Sequence, residues 1–132
     1  MISKIEITVR YSEVDKMGIV YYSRYLEYFE IGRSNWLSQF MIDYETIEEN
    51  FNIGLPVIEC GIKYIKPAKY NDKIFLQTKV DFSKLPTCIT FNYLIELENE
   101  VLVEGITKHV VYNFFTKRVV RLPDVLLKKI DL

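Results

Sequence analysis

The sequence predicts an α+β domain in which an antiparallel sheet of about five strands curls around one long central helix. Apolar residues recur with a period of two in residues 4–11 and in four segments after residue 57, as they do in half-buried strands. Between these regions, from Tyr22 to Phe40, apolar residues recur every three or four positions, which indicates a helix with one apolar face. We therefore expect this helix to lie across one face of the sheet.

The first half of the chain is predicted to contain one strand and the long helix. The strand covers residues 4–11 (KIEITVRY), and a loop follows over residues 12–20. The helix begins near Tyr22, and Gly32 interrupts its apolar face, so its backbone is predicted to approach the sheet closely there. The rest of that face comprises Tyr25, Leu26, Phe29, Arg33, Trp36, Leu37 and Phe40. Residues 43–54 are predicted to form a short connection, weakly helical or irregular.

The second half contains four consecutive strand patterns separated by turn residues. They lie at 58–64, 74–82, 89–97 and 101–115, and the last is the longest. Strands that follow one another so closely are predicted to be antiparallel neighbours. A short C-terminal helix is predicted after Pro123, because proline is favoured in the first turn of a helix.

Composition favours a single globular domain covering residues 1–132. The chain is 49% hydrophobic, and its formal net charge of −1 provides no positive field for nucleic acid or membrane surfaces. No apolar run approaches the ~20 residues of a membrane span, and the first seven residues include charges where a signal peptide needs an apolar core. Cys60 and Cys88 are predicted to be structural thiols, since there is no CxxC motif. We expect a cytoplasmic protein without a metal site.

Asp15 precedes the apolar segment 19–22, and two interpretations of this carboxylate compete. Residues 15–18 (DKMG) favour a type I turn, with Asp at the first position and Gly at the fourth. A carboxylate at the entrance to a buried segment is also a candidate catalytic residue. The two roles are compatible, and spacing alone does not choose between them.

Four segments together identify a known family. They are YSEVDKMGIVYYSRYLEYFEIGR (11–33), YIKPAKYND (64–72), EGITKHV (104–110) and RLP (121–123). In this order, and without large gaps, they resemble the hot-dog-fold acyl-CoA thioesterases, most closely the branch typified by 4-hydroxybenzoyl-CoA thioesterase. The first segment is the most specific. The resemblance implies a hot-dog fold and hydrolysis of an acyl-CoA to free acid and CoA.

The resemblance also implies roles for individual residues. Asp15 matches the essential carboxylate of the family, which is either the nucleophile on the thioester carbon or the general base for water. The N–H of Tyr22 matches the donor that holds the thioester carbonyl at the start of the central helix, where unpaired N–H groups and the helix dipole stabilise negative charge. The implied substrate contacts are Gly18, Val20, Tyr21, Tyr25 and Glu30. Glu30 is also the second candidate for the carboxylate, and its spacing allows an ion pair with Arg33.

Lysines after residue 62 are candidates for contact with the phosphates of CoA. They are Lys63, Lys66, Lys69 and Lys84, and the alternative is that they only form a solvated strand edge and turn. CoA is part of the substrate, so the resemblance implies no bound cofactor and no metal. A homodimer or homotetramer is expected, because a sheet curled around one helix leaves unpaired edges. An acyl-carrier protein in place of CoA, and the identity of the acyl group, are left open.

Two other functions compete with thioester hydrolysis. A dehydratase or hydratase of the same fold pairs a histidine with a carboxylate around the helix, whereas the single histidine here, His109, lies in a late strand. His109 is therefore predicted to be a core or interface residue with satisfied hydrogen bonds. A non-catalytic acyl-CoA-binding regulator would need an added helix-turn-helix to bind DNA, and no segment is free to supply one. Release of free thiol from an acyl-CoA distinguishes the hydrolase from both.

Overall fold

The computed structural model describes residues 2–130, which form eight strands and three α-helices. The strands are β1 (Ile2–Thr8), β2 (Ile53–Gly54), β3 (Val57–Tyr64), β4 (Lys73–Asp81), β5 (Cys88–Leu97), β6 (Glu100–Val110), β7 (Tyr112–Asn113) and β8 (Arg118–Val119). The helices are α1 (Arg24–Ser38), α2 (Tyr44–Phe51) and α3 (Asp124–Ile130).

The five longer strands form one sheet in the order β1-β4-β5-β6-β3, and every neighbouring pair is antiparallel. Helix α1 packs against β1, β4 and β5. The predicted α+β class is therefore confirmed, with the long helix across one face of the sheet. The three short strands form a second sheet in the order β2-β7-β8.

Aromatic side chains and one glycine determine how closely α1 lies to the sheet. The ring of Phe29 stacks on the ring of Tyr93 in β5, with centroids 4.2 Å apart and planes inclined by 6°. At Gly32, an added Cβ would lie 2.5 Å from the side-chain oxygen of Thr78 in β4, which is closer than such atoms approach. This confirms the predicted close approach of helix and sheet at Gly32.

Two boundaries differ from the sequence-based expectation. Helix α1 begins at Arg24 with Ser23 as its N-cap, so Tyr22 precedes the first helical turn. The last long strand ends at Val110 rather than near residue 115. The side chain of Asn113 accepts hydrogen bonds from the N–H groups of residues 115 and 116, both at 2.9 Å, and so folds the chain into a turn. The apolar residues on both sides of Asn113 have the sequence pattern of a strand, which is why the strand was predicted to continue.

The connection after α1 is more regular than expected, because α2 occupies most of it. Asp43 is its N-cap, and its carboxylate accepts a hydrogen bond of 2.7 Å from the N–H of Thr46. Asn52 ends the helix in a left-handed conformation, with φ of 55°. Aspartate is a common N-cap residue, because its carboxylate can accept the N–H three residues later. Asp43 was therefore the sequence signal for the start of this helix.

Candidate active site

Asp15 lies in a tight turn, as its sequence context predicts. The N–H of Gly18 donates to the carbonyl of Asp15 at 3.0 Å, and Gly18 has a φ of +78°, which favours glycine. The N–H of Asp15 donates in turn to the carbonyl of Ile19 at 2.9 Å. The turn therefore brings the chain back on itself just before the segment that leads into α1.

The two oxygens of the Asp15 carboxylate have different environments. Oδ1 accepts hydrogen bonds from the N–H groups of Met17, at 2.8 Å, and Ile19, at 3.5 Å. Oδ2 has no hydrogen-bond partner within residues 2–130. One oxygen thus stabilises the turn and the other is available to a ligand, so the two competing interpretations of Asp15 are compatible in the structure.

The main chain at the start of α1 offers unpaired donors. The carbonyl of Tyr21 accepts the N–H of Arg24 at 2.9 Å, and the carbonyl of Tyr22 accepts the hydroxyl of Tyr64 at 3.0 Å. The N–H groups of Tyr22 and Ser23 have no acceptor in the described part of the chain. N–H groups at this end of a helix attract negative charge, because the peptide dipoles add along the axis.

A cavity of about 380 Å³ brings Asp15 and Tyr22 together. Six residues predicted from the sequence line it, namely Asp15, Val20, Tyr21, Tyr22, Tyr25 and Lys66. Four residues that sequence reasoning did not assign to the site also line it, namely Ile19, Tyr64, Ile65 and Pro67. The walls are mostly apolar and aromatic, as in sites that enclose small organic groups.

The remaining predicted residues do not line this cavity. Gly18 lies in the Asp15 turn, and Glu30 lies on the exposed surface of α1. Lys63 and Lys69 are exposed outside the cavity, and Lys84 lines a different one beside Asp81.

The ion pair between Glu30 and Arg33 that the helix spacing allows is not formed among residues 2–130. The Arg33 guanidinium instead donates to the hydroxyls of Tyr44, at 3.4 Å, and Tyr93, at 3.3 Å. These tyrosines come from α2 and β5 and compete successfully for the guanidinium, although helix spacing alone favours Glu30.

Tyr25, which is buried, and Tyr64, which is half-exposed, pack against each other in the wall of the cavity. Their rings meet edge to face with centroids 5.6 Å apart, and the hydroxyl of Tyr25 accepts the N–H of Ala68 at 3.3 Å. Burial raises the pKa of both phenols, so both remain protonated at neutral pH. The alternating pattern of β3 indicated Tyr64 only as a strand residue, and no sequence signal indicated its contact with Tyr22.

Lys66 lies at the rim of the cavity and is already paired. Its ammonium lies 2.6 Å from the carboxylate of Glu100, and more than half of each side chain is exposed. Exposed ion pairs of this kind contribute ~0–1 kcal/mol. A phosphate could therefore replace Glu100 as the partner of Lys66 at little cost.

A larger cavity, of about 520 Å³, lies between α3 and the residues after β4. Phe82, Leu85 and Leu127 are among its lining residues, and its carboxylate, that of Asp124, is paired with Arg121 at 3.5 Å. It includes none of the residues predicted for the site. We assign the candidate site to the smaller cavity, because only that one combines an available carboxylate oxygen with unpaired N–H groups.

Three further features concern metal binding, membrane insertion and the cysteines. Within residues 2–130, no three side chains of His, Cys, Asp or Glu lie together in a way that could hold a metal ion. In the same residues, no helix is long and apolar enough to cross a membrane. Cys60 and Cys88 are both free thiols.

Comparisons with known proteins agree on one family. The family model described as the thioesterase-like superfamily matches residues 9–130. A protein of Bacillus subtilis (strain 168) with the provisional name acyl-CoA thioesterase YneP is 30% identical over 110 residues, which are 83% of this chain and 78% of that protein.

Two solved structures have closely similar folds. The hypothetical protein TT1821 of Thermus thermophilus has a TM-score of 0.89 at 29% identity, covering 98% of this chain and 95% of that one. The DHNA-CoA thioesterase of Staphylococcus aureus has a TM-score of 0.85 at 29% identity, covering 91% and 80%. The predicted hot-dog thioesterase family is confirmed: the chain belongs to the thioesterase-like superfamily.

Proposed function

We propose that this protein hydrolyses the thioester bond of an acyl-CoA, with Asp15 as the reacting carboxylate and the N–H of Tyr22 as the donor to the thioester carbonyl. The observation that supports this most directly is the pairing, in one apolar cavity, of an available carboxylate oxygen with unpaired N–H groups at a helix start. The names of the relatives, acyl-CoA thioesterase and DHNA-CoA thioesterase, agree with this activity and with the predicted class of thioester hydrolase.

Two chemical routes fit this arrangement, and both develop negative charge on the carbonyl oxygen beside the N–H of Tyr22. In the first, Asp15 attacks the thioester carbon, the C–S bond breaks, CoA leaves as a thiolate, and water then hydrolyses the anhydride on Asp15. In the second, Asp15 takes a proton from water, the resulting hydroxide attacks the carbon, and the thiolate leaves. The choice between nucleophile and general base stays open.

A thiol-release assay tests the proposed activity. The purified protein should release free CoA from at least one member of a panel of aliphatic and aromatic acyl-CoAs, and the same acyl groups on an acyl-carrier protein should be compared in parallel. Binding of acyl-CoA without thiol release would support the acyl-CoA-binding protein instead. No release and no binding across the panel would contradict the proposal.

The dehydratase alternative has less support. Its chemistry needs a histidine near the carboxylate, but His109 is only 1% exposed and both ring nitrogens are within hydrogen-bond distance of protein atoms. This agrees with its predicted role as a satisfied core residue. The single-domain organisation of residues 1–132 and the cytoplasmic location stay predictions of the sequence.

We expect the protein to form a dimer at least, with β3 pairing along the same strand of a second copy. In the described chain β3 pairs only with β6, so its other edge exposes backbone donors and acceptors. Ile58 on this strand is 59% exposed. Edge strands of this kind form new strand pairs unless charge or shape prevents it.

Light scattering at micromolar concentration tests this expectation. Ile58→Lys should shift the protein towards monomer, because a charge on an edge disfavours pairing. Val125→Lys, at an equally exposed position on α3, is the control and should leave the mass unchanged. A stable monomer of the unmodified protein would contradict the assembly.

We also expect Lys66 to contact the phosphates of CoA. Lys66→Gln should raise KM for acyl-CoA about two- to fivefold at low salt and less at high salt, with kcat nearly unchanged. Lys117→Gln is the matched control, because Lys117 is exposed, does not line this cavity and is not among the lysines predicted to contact CoA. An equal rise of KM in both variants would indicate a general charge effect, and an unchanged KM for Lys66→Gln would remove the contact.

A further inference from the structure

The hydroxyl of Tyr64 is hydrogen-bonded to the main chain beside the start of α1. It donates at 3.0 Å to the carbonyl of Tyr22, 42 residues earlier in the chain. Tyr64 is the last residue of β3, so this hydrogen bond connects the end of an edge strand to the backbone just before α1. Both residues line the cavity that contains Asp15.

The hydrogen bond lies at a sensitive point of the main chain. The peptide between Tyr21 and Tyr22 is held by a hydrogen bond from the N–H of Arg24 to the carbonyl of Tyr21. The peptide between Tyr22 and Ser23 is held by a hydrogen bond from the hydroxyl of Tyr64 to the carbonyl of Tyr22. Because each peptide unit is planar, fixing its carbonyl also fixes the direction of its N–H. Arg24 therefore orients the N–H of Tyr22, and Tyr64 orients the N–H of Ser23. Without Tyr64, the second of these two peptides would lose the only contact at its carbonyl in the described structure.

The environment of Tyr64 is suited to this role. Its ring packs edge to face against Tyr25, which is itself held through its hydroxyl by the N–H of Ala68. Strand pairing of Tyr64 with Val103 in β6 fixes its backbone. A hydrogen bond to a peptide carbonyl also polarises that peptide, which strengthens its N–H, here that of Ser23, as a donor.

We propose that Tyr64 is a positioning residue for thioester hydrolysis: its hydroxyl holds the Tyr22–Ser23 peptide so that the unpaired N–H of Ser23 keeps a fixed orientation and serves, beside that of Tyr22, as a second donor to the reacting carbonyl oxygen. This inference rests on the proposed function. Tyr64 acts on the main chain and needs no contact with the substrate, so its loss affects the transition state more than substrate binding.

Tyr64→Phe tests the inference, since it removes the hydroxyl and keeps the ring. We expect kcat to fall about tenfold, which is less than the 10²–10³-fold loss typical when an oxyanion donor itself is removed. KM should stay within about twofold, and the melting temperature and oligomeric state should match the unmodified protein. The control is Tyr70→Phe, which removes the hydroxyl of a tyrosine that is 54% exposed and lies outside the cavity. It should change neither constant.

The outcomes separate this inference from the proposed function. An unchanged kcat in Tyr64→Phe, with Asp15→Asn inactive, would overturn the role of Tyr64 and leave the function intact. A raised KM at constant kcat would also overturn it, because Tyr64 would then be a substrate contact. A loss of kcat accompanied by an equal loss of stability or assembly would indicate a merely structural role. No thiol release by the unmodified protein would overturn the function and this inference together.

Discussion

Replacing Asp15 with Asn is expected to lower kcat at least about a hundredfold, because general-base assistance is worth ~10²–10⁴-fold and the loss of a nucleophile costs more. KM should change much less, since the carboxylate acts on the reacting carbon or on water rather than on the rest of the substrate. Thiol release from the best acyl-CoA of the panel, followed over a range of substrate concentrations, gives both constants.

The fold should survive this replacement for a specific reason. Oδ1 of Asp15 accepts the N–H groups of Met17 and Ile19, and the amide oxygen of Asn can accept the same bonds. Asn is also favoured at the first position of such turns. The oxygen that changes to an NH₂ group is the one without a partner in the described structure. Melting temperature and oligomeric state should therefore stay close to those of the unmodified protein.

Asp81→Asn is the matched control for Asp15→Asn. Asp81 also accepts the N–H two residues ahead, that of Ser83 at 2.9 Å, but it lines a different cavity. It should leave kcat unchanged. Loss of stability together with activity in Asp15→Asn would favour a turn-forming role alone. Full activity in a well-folded Asp15→Asn protein would contradict the mechanism, and Glu30→Gln would then be the variant to measure.

The fold was predictable from the sequence because the long elements carry apolar residues at the period of a strand or of a helix. In β5 every second residue from Ile89 to Ile95 is buried, and in α1 the apolar residues recur at the period of a helix. The end of β6 was less predictable, because the turn at Asn113 depends on one side-chain amide within an apolar run.

The site was predictable where it is local in sequence and not where it depends on distant contacts. Asp15, Val20, Tyr21, Tyr22 and Tyr25 lie within eleven consecutive residues, so one motif includes them all. Tyr64 reaches Tyr22 only through the tertiary fold. Such pairings between a side chain and a remote carbonyl leave no periodic pattern in the sequence.

The second large expected effect concerns the stability of the protein, which depends on a buried chain of hydrogen bonds around His109. The hydroxyl of Tyr93 lies 2.6 Å from that of Thr107, which lies 2.8 Å from Nε2 of His109, and Nδ1 of His109 lies 2.9 Å from the carbonyl of Leu55. A carbonyl only accepts, so Nδ1 must hold the proton and donate. Nε2 then accepts from Thr107, whose oxygen accepts from Tyr93. A neutral histidine satisfies every member of this chain, whereas a protonated one would reverse the bonds to Thr107 and Tyr93 and take from the hydroxyl of Tyr93 the acceptor it has in Thr107.

Burial lowers the pKa of His109, and the positive charge of Arg33 lowers it further. Below a pH of ~6.5, the usual pKa of an unfolded histidine, the unfolded chain therefore binds a proton that the folded protein does not. Stability should accordingly fall as pH decreases from ~6.5 towards the lower folded pKa, by at most about 1.4 kcal/mol per pH unit. His109 is the single histidine of the chain, so this titration is readily assigned.

His109→Leu should remove this pH dependence and should also destabilise the protein at pH 8, because Thr107 and the carbonyl of Leu55 lose a buried partner, at a cost of ~1–3 kcal/mol each. Urea unfolding at fixed protein concentration, between pH 5 and 8, measures both effects. Ile95→Val, a buried apolar change on β5, should cost ~0.5–1.5 kcal/mol at every pH and keep the slope of the unmodified protein. If the unmodified protein shows no loss of stability below pH 6.5, or if His109→Leu retains that loss, His109 is not the neutral acceptor that its hydrogen bonds require.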